Sequence, residues 1–247
     1  LDLLLNYEWE SKKSPAGAWQ WEPVNLEEDK KPVDLGDPRK KARLMFTDAD
    51  MAMAMDPEYR KISEKFYKDP KFSPHASARA WFKLLHRDIG PKSNYVSGDY
   101  KDSEYIWQDP TPTGKLLTSN EEDAIRKTIA DSGLSIQEMV NTALSSAITF
   151  RGSDNRGGAN GSRIRLEPQK NWDVNKPHEL EKALNVYEKI AEKYGASIAD
   201  VIVIGGAVGI EKACGYKVNV TTCRGAATQE TTDIDSFKLL KPKACGL

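Results

Sequence analysis

Histidine, cysteine, arginine and the carboxylates are where this chain could carry chemistry, so their spacing is read first. Histidine titrates near neutrality and ligates metals. The chain has three, His75, His86 and His178, and none has a second His or a Cys at ligand spacing. No metal site is therefore expected. Cys214, Cys223 and Cys245 are an odd, sparse set without zinc spacing. They argue against a disulfide framework and for a reducing compartment, hence a cytoplasmic location. The tripeptide His86-Arg87-Asp88 matches the start of a kinase catalytic loop, but no Asn follows at the required distance and no glycine loop precedes it. Neither a G-x-S-x-G elbow nor a Walker pattern occurs.

The segment "RGSDNRGGANGSRIRLEPQKNW", residues 151–172, concentrates arginine, glycine and short polar residues. Such a loop could cradle phosphate, grip RNA, or be a long ordered connection pinned to the fold by its arginines. Its glycines do not follow the G-x-G-x-x-G order after a strand, which excludes a dinucleotide fingerprint. Asp154 and Glu167 offset part of its charge, and the whole chain carries a net charge of −1. A general nucleic-acid binder would be basic. The ordered connection is the expectation, with no nucleic-acid partner. Asp50, in "TDADMAMAMDP", stands just before a helix and reads as a capping or turn carboxylate. Trp19, in "SPAGAWQW", reads as a packed aromatic.

The elements that would position these residues are mostly helices. With 247 residues, 39% apolar and 30% charged, the composition is that of a soluble globular protein of one large domain or two modest ones. No run of eighteen apolar residues could span a membrane, and the opening "LDLLLNYEWE" has no basic leader, as in the interior of a longer protein. Residues 22–43 carry three prolines and many charges and read as a surface loop. Pro57 opens a helix to about Asp69 with Tyr59, Ile62 and Phe66 on one stripe. A second helix follows Pro74, and residues 89–118 read as a linker. Ser119 with Glu122, and Ser135 with Glu138, form capping boxes for two more helices. The second places Ile136, Met139, Val140, Ala143, Leu144, Ala147 and Ile148 on one face. Pro177 starts a long helix with Leu180, Ala183, Leu184, Tyr187, Ile190, Ala191 and Tyr194 facing inward, stopped by Gly195. Ser197 caps "IADVIVIGGAVGIEKA", apolar almost all round and so buried if something covers it. Strand signals are few. The fold class is mainly α.

Longer stretches carry a resemblance. "YEWESKKSPAGAWQW", "DADMAMAMDPEYRKIS", "ARAWFKLLHRDIGPKSNY", "IWQDP", "TFRGSDNRGGANGSRIRLEPQKNW" and "GAATQETTDIDSFKLLKP" resemble, in order, the catalase-peroxidases, two-domain haem enzymes of the peroxidase-catalase superfamily. The resemblance covers nearly the whole chain. It implies a haem-peroxidase-like helical fold in partial copies of two duplicated domains. Residues 1–109 would be the C-terminal part of the haem domain, and residues 110–247 the N-terminal part of its haem-free copy.

The intact enzyme implied would use haem b to break down hydrogen peroxide and to oxidise small organic donors, as a homodimer. In such an enzyme a distal Arg-x-x-Trp-His places three side chains on one helix face. The His moves the peroxide proton and the Arg stabilises the charge developing as the O–O bond breaks. The matching helix here reads "NTALSS": Asn141 stands for the Arg, Leu144 for the Trp and Ser145 for the His. By this match the haem domain's own distal helix and its axial-histidine segment would precede Leu1, so no haem is expected in the isolated chain. Three positions match haem-side residues: Trp19 the tryptophan beneath the haem, Asp50 the proximal aspartate, and Arg87 a mobile arginine that swings toward a covalent Met-Tyr-Trp adduct. Asn94 departs from an arginine usual in the family's "GPxxRY". The other functional class the sequence admits is a non-enzymatic helical packing or dimerisation module.

Overall fold

The computed structural model describes residues 1–96 and 104–242; Cys245 and part of the 89–118 segment lie outside them. The chain divides into two compact units, Leu1–Phe82 and Lys83–Leu247, each described by itself.

In the first unit, α1 (Asp2–Asn6) leads into a hairpin of β1 (Trp9–Lys13) and β2 (Trp19–Pro23). The strands pair antiparallel with Trp9 opposite Pro23 and Lys13 opposite Trp19. Gly17 makes the tight turn between them at a φ of 86°, a conformation that favours glycine. Backbone bonds between Trp21 and Phe46, at 2.8 and 2.9 Å, bring the chain back beside β2. Trp9 stacks on Phe46 with centroids 4.5 Å apart. A small core of Leu4, Met51 and Ala54 forms beneath them, and the charged 22–43 stretch between is irregular apart from one short turn. Next come α2 (Asp48–Met55), α3 (Pro57–Lys68) and the first part of α4 (Phe72–Ile89), which runs on past Phe82 into the second unit. Asp56 caps α3 by accepting from the amides of Glu58 and Tyr59, and Pro57 sits where no amide is needed. The expected apolar stripe of α3 is not a core face. Tyr59 and Ile62 are exposed, and the buried residue of the helix is Ser63, whose hydroxyl donates to the Met53 carbonyl. Periodicity reports a face that could be buried, and packing within this unit buries another.

The second unit is built around α8 (Ile198–Cys214), with α5 (Ser119–Ala130), α6 (Ile136–Ala147) and α7 (Pro177–Tyr194) packed on it, and a short α9 (Ile234–Lys238). Ile125, Ile129, Met139, Leu180, Tyr187, Val201, Ile202 and Ile204 form its core. The all-round apolar character of α8 is thus explained, and its cover comes from the same unit. Glycines allow the close approach. A Cβ at Gly206 would lie 2.4 Å from the Cβ of Ala143 on α6, and one at Gly205 would lie 2.3 Å from the Tyr187 hydroxyl on α7.

Capping follows the sequence closely, with one shift. Ser135 and Glu138 form the expected box at α6. At α5 the cap is Thr118 with Glu121, one residue before the expected pair. "TSNEE" holds two overlapping copies of the pattern, and the earlier one forms. Residues 104–118 are not a free linker: Gln108 and Leu117 are buried. The buried face of α6 also differs from expectation. Thr142 and Ser146 are buried, while Leu144 is partly exposed. Thr142 can be buried because its hydroxyl donates to the Glu138 carbonyl one turn earlier.

Candidate functional site

The arginine loop is structural. Arg156 Nε donates to Asp109 at 2.9 Å and Arg151 Nε to Asp154 at 3.0 Å. Arg163 reaches the Thr111 hydroxyl at 3.3 Å and the Pro110 carbonyl at 3.2 Å, and stacks 4.8 Å above the Phe237 ring. Arg165 donates to the Ala227 carbonyl. The loop backbone is tied down too, Gly161 donating to Gly225 at 3.0 Å and accepting from Ala227 at 2.9 Å. Asp154, Arg156, Ser162, Arg163 and Ile164 are buried. A loop that spends its guanidinium groups on internal partners has few left for a polyanion, which is the ordered connection expected.

On α6, Asn141, Leu144 and Ser145 line a cavity of about 360 Å³, closed on its other side by Asp173, Asn175, Lys176 and Glu179. Haem needs an axial ligand and, for peroxide cleavage, a base above the iron. No lining residue is a His, Cys, Met or Tyr. Of the three histidines, His75 and His178 are exposed, and the buried one, His86, is engaged elsewhere. Among the described residues no His, Cys, Asp or Glu cluster could hold a metal ion. The described residues that line this cavity do not fit haem.

The three positions matched to haem-side residues lie apart in the chain. Asp50 closes the capping box of α2. Its Oδ2 accepts from the Thr47 amide and hydroxyl, both at 2.8 Å. Those bonds favour the ionised form and hold its pKa below the ordinary aspartate value. Asp50 is partly buried and is a fixed anionic acceptor, the chemistry a proximal partner requires. The neighbouring Asp48 accepts from the Trp21 indole at 2.6 Å. Trp19 stands at the start of β2, 67% exposed, with the Lys13 ammonium 5.2 Å from its ring centroid. The packed aromatic read from sequence is a surface one here.

Arg87 is exposed in the last turn of α4, and among the described residues it forms no ion pair, with Asp88 or any other. Its neighbour His86 is the anchored one. The His86 Nδ1 lies 2.6 Å from the Tyr95 hydroxyl, which also accepts from Gln108 Nε2 at 3.1 Å. The Trp107 ring meets His86 edge-on at 5.1 Å, and Tyr105 stacks on Trp107. Burial first, then the nearby Arg156 cation, lowers the His86 pKa to about 4. The imidazole is neutral at pH 7, so Nδ1 can accept the tyrosine proton. Sequence reasoning used "HRD" only to dismiss a kinase and missed this cluster. The available signal was a helix-end His followed by an aromatic-rich segment, which by itself does not say which ring closes on it.

The mainly α fold agrees with a comparison to known families. The peroxidase family model matches residues 75–243, more than half of the chain, and the chain belongs to the peroxidase family. Within it, the resemblance is to the catalase-peroxidases. The chain is 57% identical to the catalase-peroxidase of Marinobacter nauticus over 250 residues and 57% identical to that of Halorhodospira halophila over 249. It is 58% identical to that of Vibrio cholerae over 249 residues. Each alignment covers 99% of this chain and 34% of the relative, so the chain spans about a third of the length of the curated relatives it matches.

Proposed function

We propose that this chain is the central part of a catalase-peroxidase, residues 1–109 ending a haem domain and residues 110–247 beginning its haem-free copy. The observation that carries the reading is the unbroken similarity to catalase-peroxidases over 99% of the chain. The α6 face, with Asn141, Leu144 and Ser145 where a haem site would need a base and a cation, supports placing the second segment in the copy without haem. In the intact enzyme haem b supplies peroxide reduction and donor oxidation. It acts on hydrogen peroxide and small organic donors, in a cytoplasmic homodimer. Among the described residues no helix is long and apolar enough to cross a membrane.

This chain's own residues serve that enzyme in three ways. Asp50, fixed by Thr47, is the anionic acceptor for donors on the proximal side. Trp19 belongs to the same side, and its exposed ring is the one that would lie beneath the haem. Arg87 is the mobile cation, exposed and without an ion pair among the described residues, at the end of a helix that His86 holds in place. A guanidinium keeps its proton at any working pH, so its position carries the effect. The test is the natural polypeptide itself: its intact mass, its haem per chain, and oxygen release from hydrogen peroxide. A natural product near three times the size of this chain, with one haem and catalase activity, supports the reading. A natural product of this size that takes up haem stoichiometrically at a histidine overturns it.

A further inference from the structure

Beside the arginine loop lies a second cavity, of about 500 Å³, in the second unit. Arg156, Arg163, Arg224, Asp109, Phe150 and Pro91 contribute to its wall. The charges do not cancel. Asp200 takes Arg224, at 3.0 Å, and Asp109 takes Arg156. Among the described residues Arg163 has no ion pair of its own, and the carboxylate that acts on it, Asp109, is already paired with Arg156. Its two terminal nitrogens reach only the neutral oxygens of Thr111 and Pro110, at long distances, and its Nε is buried without a hydrogen-bond partner. Arg163 is 5% exposed. Arg156 adds a second orphan: its Nη2 lies 2.8 Å from Asp109 Oδ2 but makes no well-directed hydrogen bond there. A buried guanidinium with unused N–H groups is costly unless an anion or water meets it. The same wall has an apolar part, with Phe150, more than half exposed, beside Pro91 and Ala147.

We propose that this cavity binds a small aromatic carboxylate, the carboxylate on Arg163 beside the Arg156–Asp109 pair and the ring against Phe150. Two orphan donors and one cation without an ion pair of its own select an anion. The planar fork of arginine suits a carboxylate. The apolar wall selects a ring over an inorganic ion. Asp109 Oδ1, also buried without a partner, accepts from a hydroxyl on that ring or from a water. The site is independent of haem and of the activity proposed above.

Benzoate is the probe, titrated into the 247-residue chain and followed by saturation-transfer NMR and calorimetry, with benzyl alcohol and inorganic phosphate in parallel. Saturable benzoate binding is expected, at least tenfold tighter than either control. Phe150→Ala, a change at an exposed side chain, is expected to weaken it about fivefold with the circular dichroism spectrum unchanged. Arg163→Gln is expected to abolish it. Folded protein that binds no benzoate means that water alone fills the cavity, and overturns the proposal. Equal binding of phosphate overturns the aromatic class, and undiminished binding in Phe150→Ala overturns the location. Should Arg163→Gln fail to fold, Phe150→Ala still decides.

Discussion

Gly206 is where α8 meets α6, and replacing it tests the packing that holds the second unit together. A Cβ there would stand 2.4 Å from the Ala143 Cβ, where ordinary contact begins at 3.4 Å. The shortfall, 3.4 − 2.4 = 1.0 Å, has no flexible side chain to absorb it, because both atoms are fixed to helix backbone. The helices must separate or bend, and Met139 and Val140, which meet Gly209 one turn later, move with them. Overpacking costs about 1–3 kcal/mol, and a 1.0 Å overlap between two backbone-fixed atoms falls in the upper part of that range, about 2–3 kcal/mol. Against it stands the gain in helix propensity on replacing glycine by alanine, about 1 kcal/mol. Gly206→Ala is therefore expected to destabilise by about 1–2 kcal/mol net, read as a lower urea midpoint at unchanged slope. Removing the opposing methyl separates the two terms. Ala143→Gly alone should cost about 1 kcal/mol in propensity. Combined with Gly206→Ala it should recover the clash, leaving a coupling of about 2 kcal/mol between the sites. If Gly206→Ala is as stable as the parent, or the two changes simply add, α6 and α8 do not touch there, and the position assigned to the α6 face falls with the contact.

Three further outcomes follow from the same structure. Ser145→His puts a base on the α6 face but no iron ligand near it, so the variant should show no Soret band with added haem and no peroxidase rate above buffer. Arg87→Ala in a full-length enzyme carrying this segment should lower catalase activity by a larger factor than peroxidase activity at equal haem content; equal losses would mean general damage. His86 is depressed from 6.5 to about 4 by burial and Arg156. Between those values the unfolded chain binds the proton and the folded one does not, so stability is present above about pH 6.5 and is lost as pH falls toward 4. The full loss is about 3 kcal/mol, of which about 2 falls between pH 7 and 5, so the urea midpoint should drop further from pH 7 to pH 5 in the parent than in His86→Gln.

What the sequence made legible is what short-range physics controls. Pro57, Pro177, Ser135, Ser197 and Gly195 mark helix ends because the first and last turns leave amides and carbonyls that only a few residue types satisfy. The α7 face was legible because its apolar residues all turn toward one core, shared with α5, α6 and α8. The α3 stripe and the α6 face were less so, since the first depends on what covers Tyr59 and Ile62, and the second on a Thr142 hydroxyl that satisfies itself. The site divides the same way. Asp50 read correctly as a capping carboxylate from its own neighbours. The His86, Tyr95, Trp107 and Gln108 cluster depends on a chain reversal that no local pattern encodes.

The two faces of α6 carry different constraints. Met139, Thr142 and Ser146 hold the inner face, and Ala143 fits the Gly206 notch. Asn141, Leu144 and Ser145 point to the cavity and carry little of the core. A side chain on that outer face can therefore change from base to hydroxyl, or from indole to isobutyl, with little effect on the four-helix packing. The reverse holds on the inner face, where one methyl at Gly206 is already too many. The fold constrains one stripe of the helix and leaves the other to function. Where no haem fits, the fold's demands on the inner stripe stay in force.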